Sequence, residues 1–128
     1  MALIVAAAII NDGRLLAARR DRGRYAGLWE FPGGKVEVGE DDRTALTREL
    51  AEELAVTGTI GSQVGDEWPL TDGHTMHVYL VTVDPGVAPQ CVDGHDALRW
   101  LCAADTRSLS WIPADLPIVA AVSSLLRA

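Results

Sequence analysis

At 128 residues, 48% of them hydrophobic, the chain has the length of one domain and enough apolar material for a core. A formal net charge of −7 argues against a surface that meets the phosphates of duplex nucleic acid, which requires basic patches. Its two cysteines, Cys91 and Cys102, lack the CxxC spacing of a zinc site and read as reduced and buried thiols without a disulfide.

Ala2 to Ile10 is apolar, but it has no basic segment before it and is too short to span a bilayer, so no membrane partner and a cytoplasmic location are expected. Leu3 to Ile10 is predicted as a buried strand, Asn11-Asp12-Gly13 as a hairpin turn, and Arg14 to Arg19 as the returning strand. Asp21 to Gly27, with Arg20, Arg22 and Arg24, reads as an exposed loop. Leu28 to Phe31 follows as a short strand, stopped by a glycine turn at Pro32-Gly33-Gly34.

Glu40, Asp41 and Asp42 place negative charge where a helix begins, which favours its N-terminus by ~0.3–1 kcal/mol. Leu46, Leu50 and Leu54 recur every four residues as its buried stripe. Glu49, Glu52 and Glu53, spaced i, i+3 and i+4, share another side of the same helix. Like charges at that spacing repel by roughly 0.2–0.5 kcal/mol per pair. A divalent cation converts this repulsion into ligation, because hard cations take carboxylate oxygens; the alternative is an ordinary solvated acidic face. Arg48, four residues before Glu52, can brace that carboxylate or form a surface ion pair of little energetic weight.

Thr57 to Trp68 suggests a strand and a turn, Thr71-Asp72-Gly73 another turn, and His74 to Val83 a central strand. His74 and His77 then face opposite sides, which disfavours a shared metal. Asp84 to Gly94 is loop-like, Ala97 to Leu101 a strand, and Ala103 to Leu109 a short helical turn. Leu116 to Arg127 closes the chain as an amphipathic helix. Strands on both sides of a helix in this order predict an α/β fold, a mixed sheet covered by helices on both faces.

Gly34, then Glu40 after five residues, then Arg48-Glu49-Leu50-Ala51-Glu52-Glu53 after seven more, and Val56, resembles the signature of the Nudix hydrolase family. Ala26-Gly27-Leu28-Trp29-Glu30-Phe31-Pro32 and Trp111-Ile112-Pro113-Ala114-Asp115 are similar to its MutT-like nucleoside-triphosphate branch. The resemblance implies an α/β/α Nudix sandwich over a single domain, residues 1–128. It also implies cleavage of a nucleoside diphosphate linked to another group by metal-assisted attack of water. One position departs: Ala55 stands where the family has glycine. Either the helix stops later with the help of Gly58, or Ala55 takes a positive φ at a cost of roughly 1 kcal/mol.

By the same resemblance, Glu53 and Glu49 are Mg²⁺ ligands (Mn²⁺ an alternative), joined by a backbone carbonyl from Gly33-Gly34, and Glu52 is a further candidate ligand. Either Glu49 or Glu52 is the general base, with Glu49 preferred, and Arg48 orients the glutamates. Relatives add a carboxylate six residues before Trp100, where this chain has Gly94. Asp93 and Asp96 are out of register with that position, and His95 reads as a loop histidine. Arg19 is expected to meet the nucleotide's phosphates, with Arg24 a second candidate. Lys35 is either a phosphate contact or a solvated lysine, and Glu30 joins the substrate-binding set. Trp29, Phe31 or Trp111 either stacks on a base or simply packs.

Asp115 either caps the last helix or reads the base. An ionised carboxylate accepts from the 4-amino group of cytosine and is repelled by the carbonyl of uracil. The expected activity is hydrolysis of (d)CTP-like nucleotides to a monophosphate and pyrophosphate. Hydrolysis of 8-oxo-dGTP is the first alternative, and nucleotide binding without turnover, motivated by Gly94 and Ala55, is the second. The expected partner is a small nucleotide rather than a nucleic-acid polymer; the sequence leaves the oligomeric state open, and a monomer is compatible with it.

Overall fold

In the computed structural model, which describes residues 2–128, Asp12 and Gly13 take positive φ (52° and 71°) and fold β1 (Leu3–Asn11) back onto β2 (Arg14–Arg20). The hairpin opens quickly: only Ile10 and Asn11 pair with β2, through Leu15 and Arg14. Beyond that point β1 runs parallel to β6 (Thr75–Val83), and β2 runs antiparallel to β7 (His95–Leu101) and β3 (Trp29–Glu30). The chain's first strand thereby becomes the axis of a mixed sheet, with β5 (Gly58–Pro69) outside β6 at its far edge.

The expected glycine turn is instead a strand. β4 (Gly33–Lys35) pairs antiparallel with β1, Gly34 opposite Val5 and Gly33 opposite Ala6. A Cβ on Gly33 would lie 2.0 Å from the Val5 carbonyl oxygen, so glycine serves close backbone approach here. Thr57 to Trp68 forms one long strand, β5, because two register shifts let it keep pairing with β6 while bending.

Alternation along β1 divides the core. Val5, Ala7 and Ile9 face α1 (Asp42–Leu54), whose Ala45, Leu46, Leu50 and Leu54 are fully buried against them. Ala6 and Ala8 face the other way, onto Trp29, Phe31, Trp111 and α3 (Leu116–Val122). Helices on both faces give the expected α/β/α sandwich. The final helix is shorter than its periodicity suggests, since α3 gives way to a 3₁₀ turn at Ser123–Leu125. The short helical turn before it is α2 (Ala103–Thr106). Cys91, expected to be buried, is exposed, and Cys102 is half-buried; both thiols are free.

The two ends of α1 follow local chemistry. The Asp41 carboxylate accepts from the Thr44 amide at 2.8 Å and caps the first turn. At the other end Ala55 takes φ 56°, the left-handed conformation, and its amide closes on the Ala51 carbonyl. Of the two outcomes open in the sequence, the strained stop is the one adopted. Ala55→Gly is expected to stabilise the protein by about 1 kcal/mol, read as a higher urea midpoint. An unchanged or lower midpoint would show that the strain is relieved elsewhere.

Candidate active site

With its leucine stripe buried, α1 has no rotational freedom, and this fixes where each glutamate goes. Glu49 and Glu53 turn inward, their side chains 14% and 16% exposed, whereas Glu52 is 58% exposed and points outward. The expected trio is thus an inner pair with one outer member. The Gly33 amide donates to Glu53 Oε1 at 3.3 Å, so the recorded contact from β4 is an N–H rather than a carbonyl. Gly34 leaves space for Glu49: a Cβ there would sit 2.4 Å from the Glu49 carboxylate carbon. Burial, and then the neighbouring Glu49, push the Glu53 carboxyl well above the usual carboxylate range.

A carboxyl raised in this way beside a second carboxylate is a position at which a cation would relieve the repulsion. Among the described residues no three His, Cys, Asp or Glu side chains are gathered into a closed cage. The inner pair nevertheless fits Mg²⁺, which is held by one or two carboxylates together with waters and substrate phosphates.

Arg48 does more than brace Glu52. Its guanidinium forks onto both oxygens of Glu40 (2.8 and 2.9 Å) and also reaches Glu49 (2.9 Å), Glu52 (3.3 Å) and the Lys35 carbonyl (3.0 Å). The fork onto Glu40 is the planar, bidentate geometry that arginine supplies and lysine does not. Hydrogen bonds from Arg48 and from the Glu37 amide hold the Glu40 carboxyl down at about 2. One side chain therefore ties the loop after β4 to the helix and aims Glu49.

His95 is not a loop histidine. It begins β7 opposite Arg20, and its side chain is 3% exposed. Its Nε2 lies 2.9 Å from Glu30 Oε2; its Nδ1 is buried, has no hydrogen-bond partner among the described residues, and lies 4.0 Å from Glu53 Oε1. The only trace of this residue in the sequence is its place next to Gly94. Asp93 and Asp96 turn away, to Arg22 and Arg19 respectively.

A cavity of about 420 Å³ opens beside these groups. Its lining includes Gly33, Gly34, Lys35, Glu30, Glu53 and His95, the cations Arg20 and Arg22, the apolar Ile4, Phe31, Met76 and Ile112, and Asp115. Arg19 and Arg24, the arginines expected here, lie outside this lining. Arg19 pairs with Asp96 at 2.7 Å and covers the Trp29 ring, while Arg24 lies against Tyr25 and 3.8 Å from Asp72. Arg20 follows Arg19 directly in β2 and so takes the opposite face; the extra residue at this point is Asp96 of β7, passed over between the Arg19–Ala97 and Arg20–His95 pairs. Of the three aromatic candidates, Phe31 lines the cavity; Trp29 and Trp111 are packing residues, Trp111 stacked on Phe31 with ring centroids 5.7 Å apart.

Asp115 is 5% exposed and makes no capping bond to α3. Its Oδ2 instead accepts from the Phe31 amide at 3.2 Å. Burial pushes its carboxyl up to about 7, opposed by the Phe31 amide and reinforced by Glu30. A cavity lined by a buried acid, apolar side chains and cations suits a ligand with a flat polar ring and a polyanionic tail.

The NUDIX domain family matches residues 1–122. A Mycobacterium tuberculosis protein with the provisional name 8-oxo-dGTP diphosphatase 2 is 43% identical over 117 residues, 88% of this chain and 82% of that protein. The CTP pyrophosphohydrolase of Escherichia coli K12 is 37% identical over 123 residues, covering 95% and 91%. Among solved structures, MutT from a study of Aliivibrio salmonicida and Vibrio cholerae superposes with a TM-score of 0.76 at 29% identity, covering 96% of both chains. Sequence signature, sandwich architecture and these relatives agree, and the chain belongs to the Nudix hydrolase family.

Proposed function

We propose that this chain is a Mg²⁺-dependent pyrophosphohydrolase that converts a nucleoside triphosphate and water to the monophosphate and pyrophosphate, with a preference for (d)CTP-like nucleotides. The observation that carries the reading is the cavity itself, whose lining includes both Glu53 and the buried Asp115, with apolar side chains and cations. Glu49 and Glu53 would hold Mg²⁺ (Mn²⁺ the alternative), with Gly33-Gly34 backbone alongside and Glu52 from the outer side. Bound there, the ion would neutralise phosphate oxygens and lower the pKa of water. Glu49, aimed by Arg48, would accept the proton of the attacking water, with Glu52 the alternative base. Arg20, Arg22 and Lys35 supply positive charge for the polyphosphate. Among the described residues no helix is long and apolar enough to cross a membrane, and the free thiols of Cys91 and Cys102 suit a reducing cytoplasm.

Two readings compete. Hydrolysis of 8-oxo-dGTP is favoured by the name of the M. tuberculosis relative, and (d)CTP hydrolysis by that of the E. coli one. Asp115 separates them through its protonation. Below about pH 7 it is a neutral acid that both donates and accepts, which suits the carbonyl and N7–H of an 8-oxo-purine; above that pH it only accepts. It then pairs with the cytosine amino group and repels the uracil carbonyl.

Pyrophosphate release from a panel of nucleoside triphosphates with Mg²⁺ tests the proposal. The expected result is the highest kcat/KM on CTP or dCTP, with the ratio over UTP and over 8-oxo-dGTP rising about tenfold between pH 6 and pH 8. A higher kcat/KM on 8-oxo-dGTP throughout that range would establish the sanitising activity instead. Binding of CTP with no release above a Glu53→Gln control would leave a nucleotide-binding module.

A further inference from the structure

The buried, unpartnered nitrogen of His95 is not used by the activity proposed above. Its ring lies between two carboxylates. Nε2 contacts Glu30 Oε2 at 2.9 Å; an ionised carboxylate only accepts, so this contact takes Nε2 as its donor, and the neutral ring then carries its lone pair on Nδ1. That lone pair lies 4.0 Å from Glu53 Oε1, in the cavity that Gly33 and Gly34 also line. A carboxylate on one ring nitrogen and a free lone pair on the other is the pattern by which proteins orient a metal-binding imidazole. Bonds of about 2.0–2.2 Å from one ion to nitrogen and oxygen keep two ligand atoms within roughly 4.3 Å of each other, and 4.0 Å lies inside that limit.

We infer that His95 is a nitrogen ligand of the same metal centre as Glu53, with Glu30 as the residue that fixes its tautomer and aim. The inference rests on the glutamate pair being the metal site. It also gives the substitution of Gly94 a physical setting: this chain has no carboxylate at that position, and the next residue turns an imidazole toward Glu53. An imidazole shifts affinity toward nitrogen-preferring divalent ions such as Co²⁺ and Zn²⁺ relative to Mg²⁺, because Mg²⁺ prefers oxygen.

Proton NMR of the intact protein titrated with CoCl₂ tests this. A Co²⁺-bound imidazole shows its remaining N–H as a far-shifted, exchangeable resonance, and burial against Glu30 slows that exchange. One such resonance is expected in the wild type, kept in His74→Gln and His77→Gln and lost in His95→Gln. The sequence holds three histidines, so the two surviving variants identify His95 even where His95→Gln fails to fold. Glu30→Gln is expected to weaken Co²⁺ binding about 10- to 100-fold. Co²⁺ that binds wild type and is lost in Glu53→Gln, with no far-shifted N–H, would overturn the role of His95 and leave the glutamate site standing. No Co²⁺ binding at all would overturn both.

Discussion

Gly34→Ala is expected to lower kcat for pyrophosphate release about 100-fold while the protein keeps its fold. The added Cβ would lie 2.4 to 2.6 Å from the carboxylate carbon and both oxygens of Glu49, well inside contact distance. Those atoms are the free end of a flexible side chain, so the carboxylate swings away and the backbone stays. A reacting group displaced by an ångström costs a factor of that order. Gly33→Ala is the contrast. There the Cβ would meet the Val5 carbonyl oxygen and the Ala6 Cα, neither of which can move without opening β4 from β1. Steady-state kinetics and a urea midpoint on both variants separate the cases: lost turnover with intact stability for Gly34→Ala, lost stability for Gly33→Ala. An unchanged kcat in Gly34→Ala would remove Glu49 from the chemistry.

Asp115→Asn is expected to stabilise the protein above pH 7 and to leave it nearly unchanged near pH 4. The Asp115 carboxyl rises from 3.8 to about 7 on folding, through burial. Between those values the folded state holds a proton that the unfolded state has released. Stability is therefore full below about pH 4 and is lost as pH rises through 7. Three units at ~1.4 kcal/mol each bound the effect at roughly 4 kcal/mol, and local hydration lowers it. Asparagine keeps an acceptor for the Phe31 amide and carries no charge, so its urea midpoint has no matching slope. Parallel pH profiles for wild type and Asp115→Asn would mean that Asp115 is ionised at no cost, and the selectivity argument would fall with it.

The helix at the site was legible because both of its tasks are written at helical spacing. Leu46, Leu50 and Leu54 fix its buried side, and Glu49, Glu52 and Glu53 then fall where the period puts them. That Glu52 faces out while its neighbours face in lies beyond the pattern, since it depends on where β4 passes over the helix. Arg20 and His95 were illegible for a related reason. Which face of β2 meets the cavity, and so Arg20 rather than Arg19, is set by tertiary packing, and the facing of His95 is set where β7 passes over Asp96 in its pairing with β2. Neither event has a local signature. Asp115 was ambiguous because a carboxylate before a helix containing Pro117 looks like a cap; the structure turns it to the Phe31 amide 84 residues away in sequence.

The central sheet separates the apolar layer beside Asp115 from the helix that carries the glutamates. Asp115, Phe31 and Trp111 belong with the apolar layer on one face, and Glu49 and Glu53 ride on the helix packed against the other. Substitutions far apart with no shared partner act nearly additively. A lineage can therefore drift in the nucleotide it prefers, one cavity residue at a time, while its hydrolytic apparatus stays under separate selection, and a single scaffold of this kind can diversify without passing through inactive ancestors.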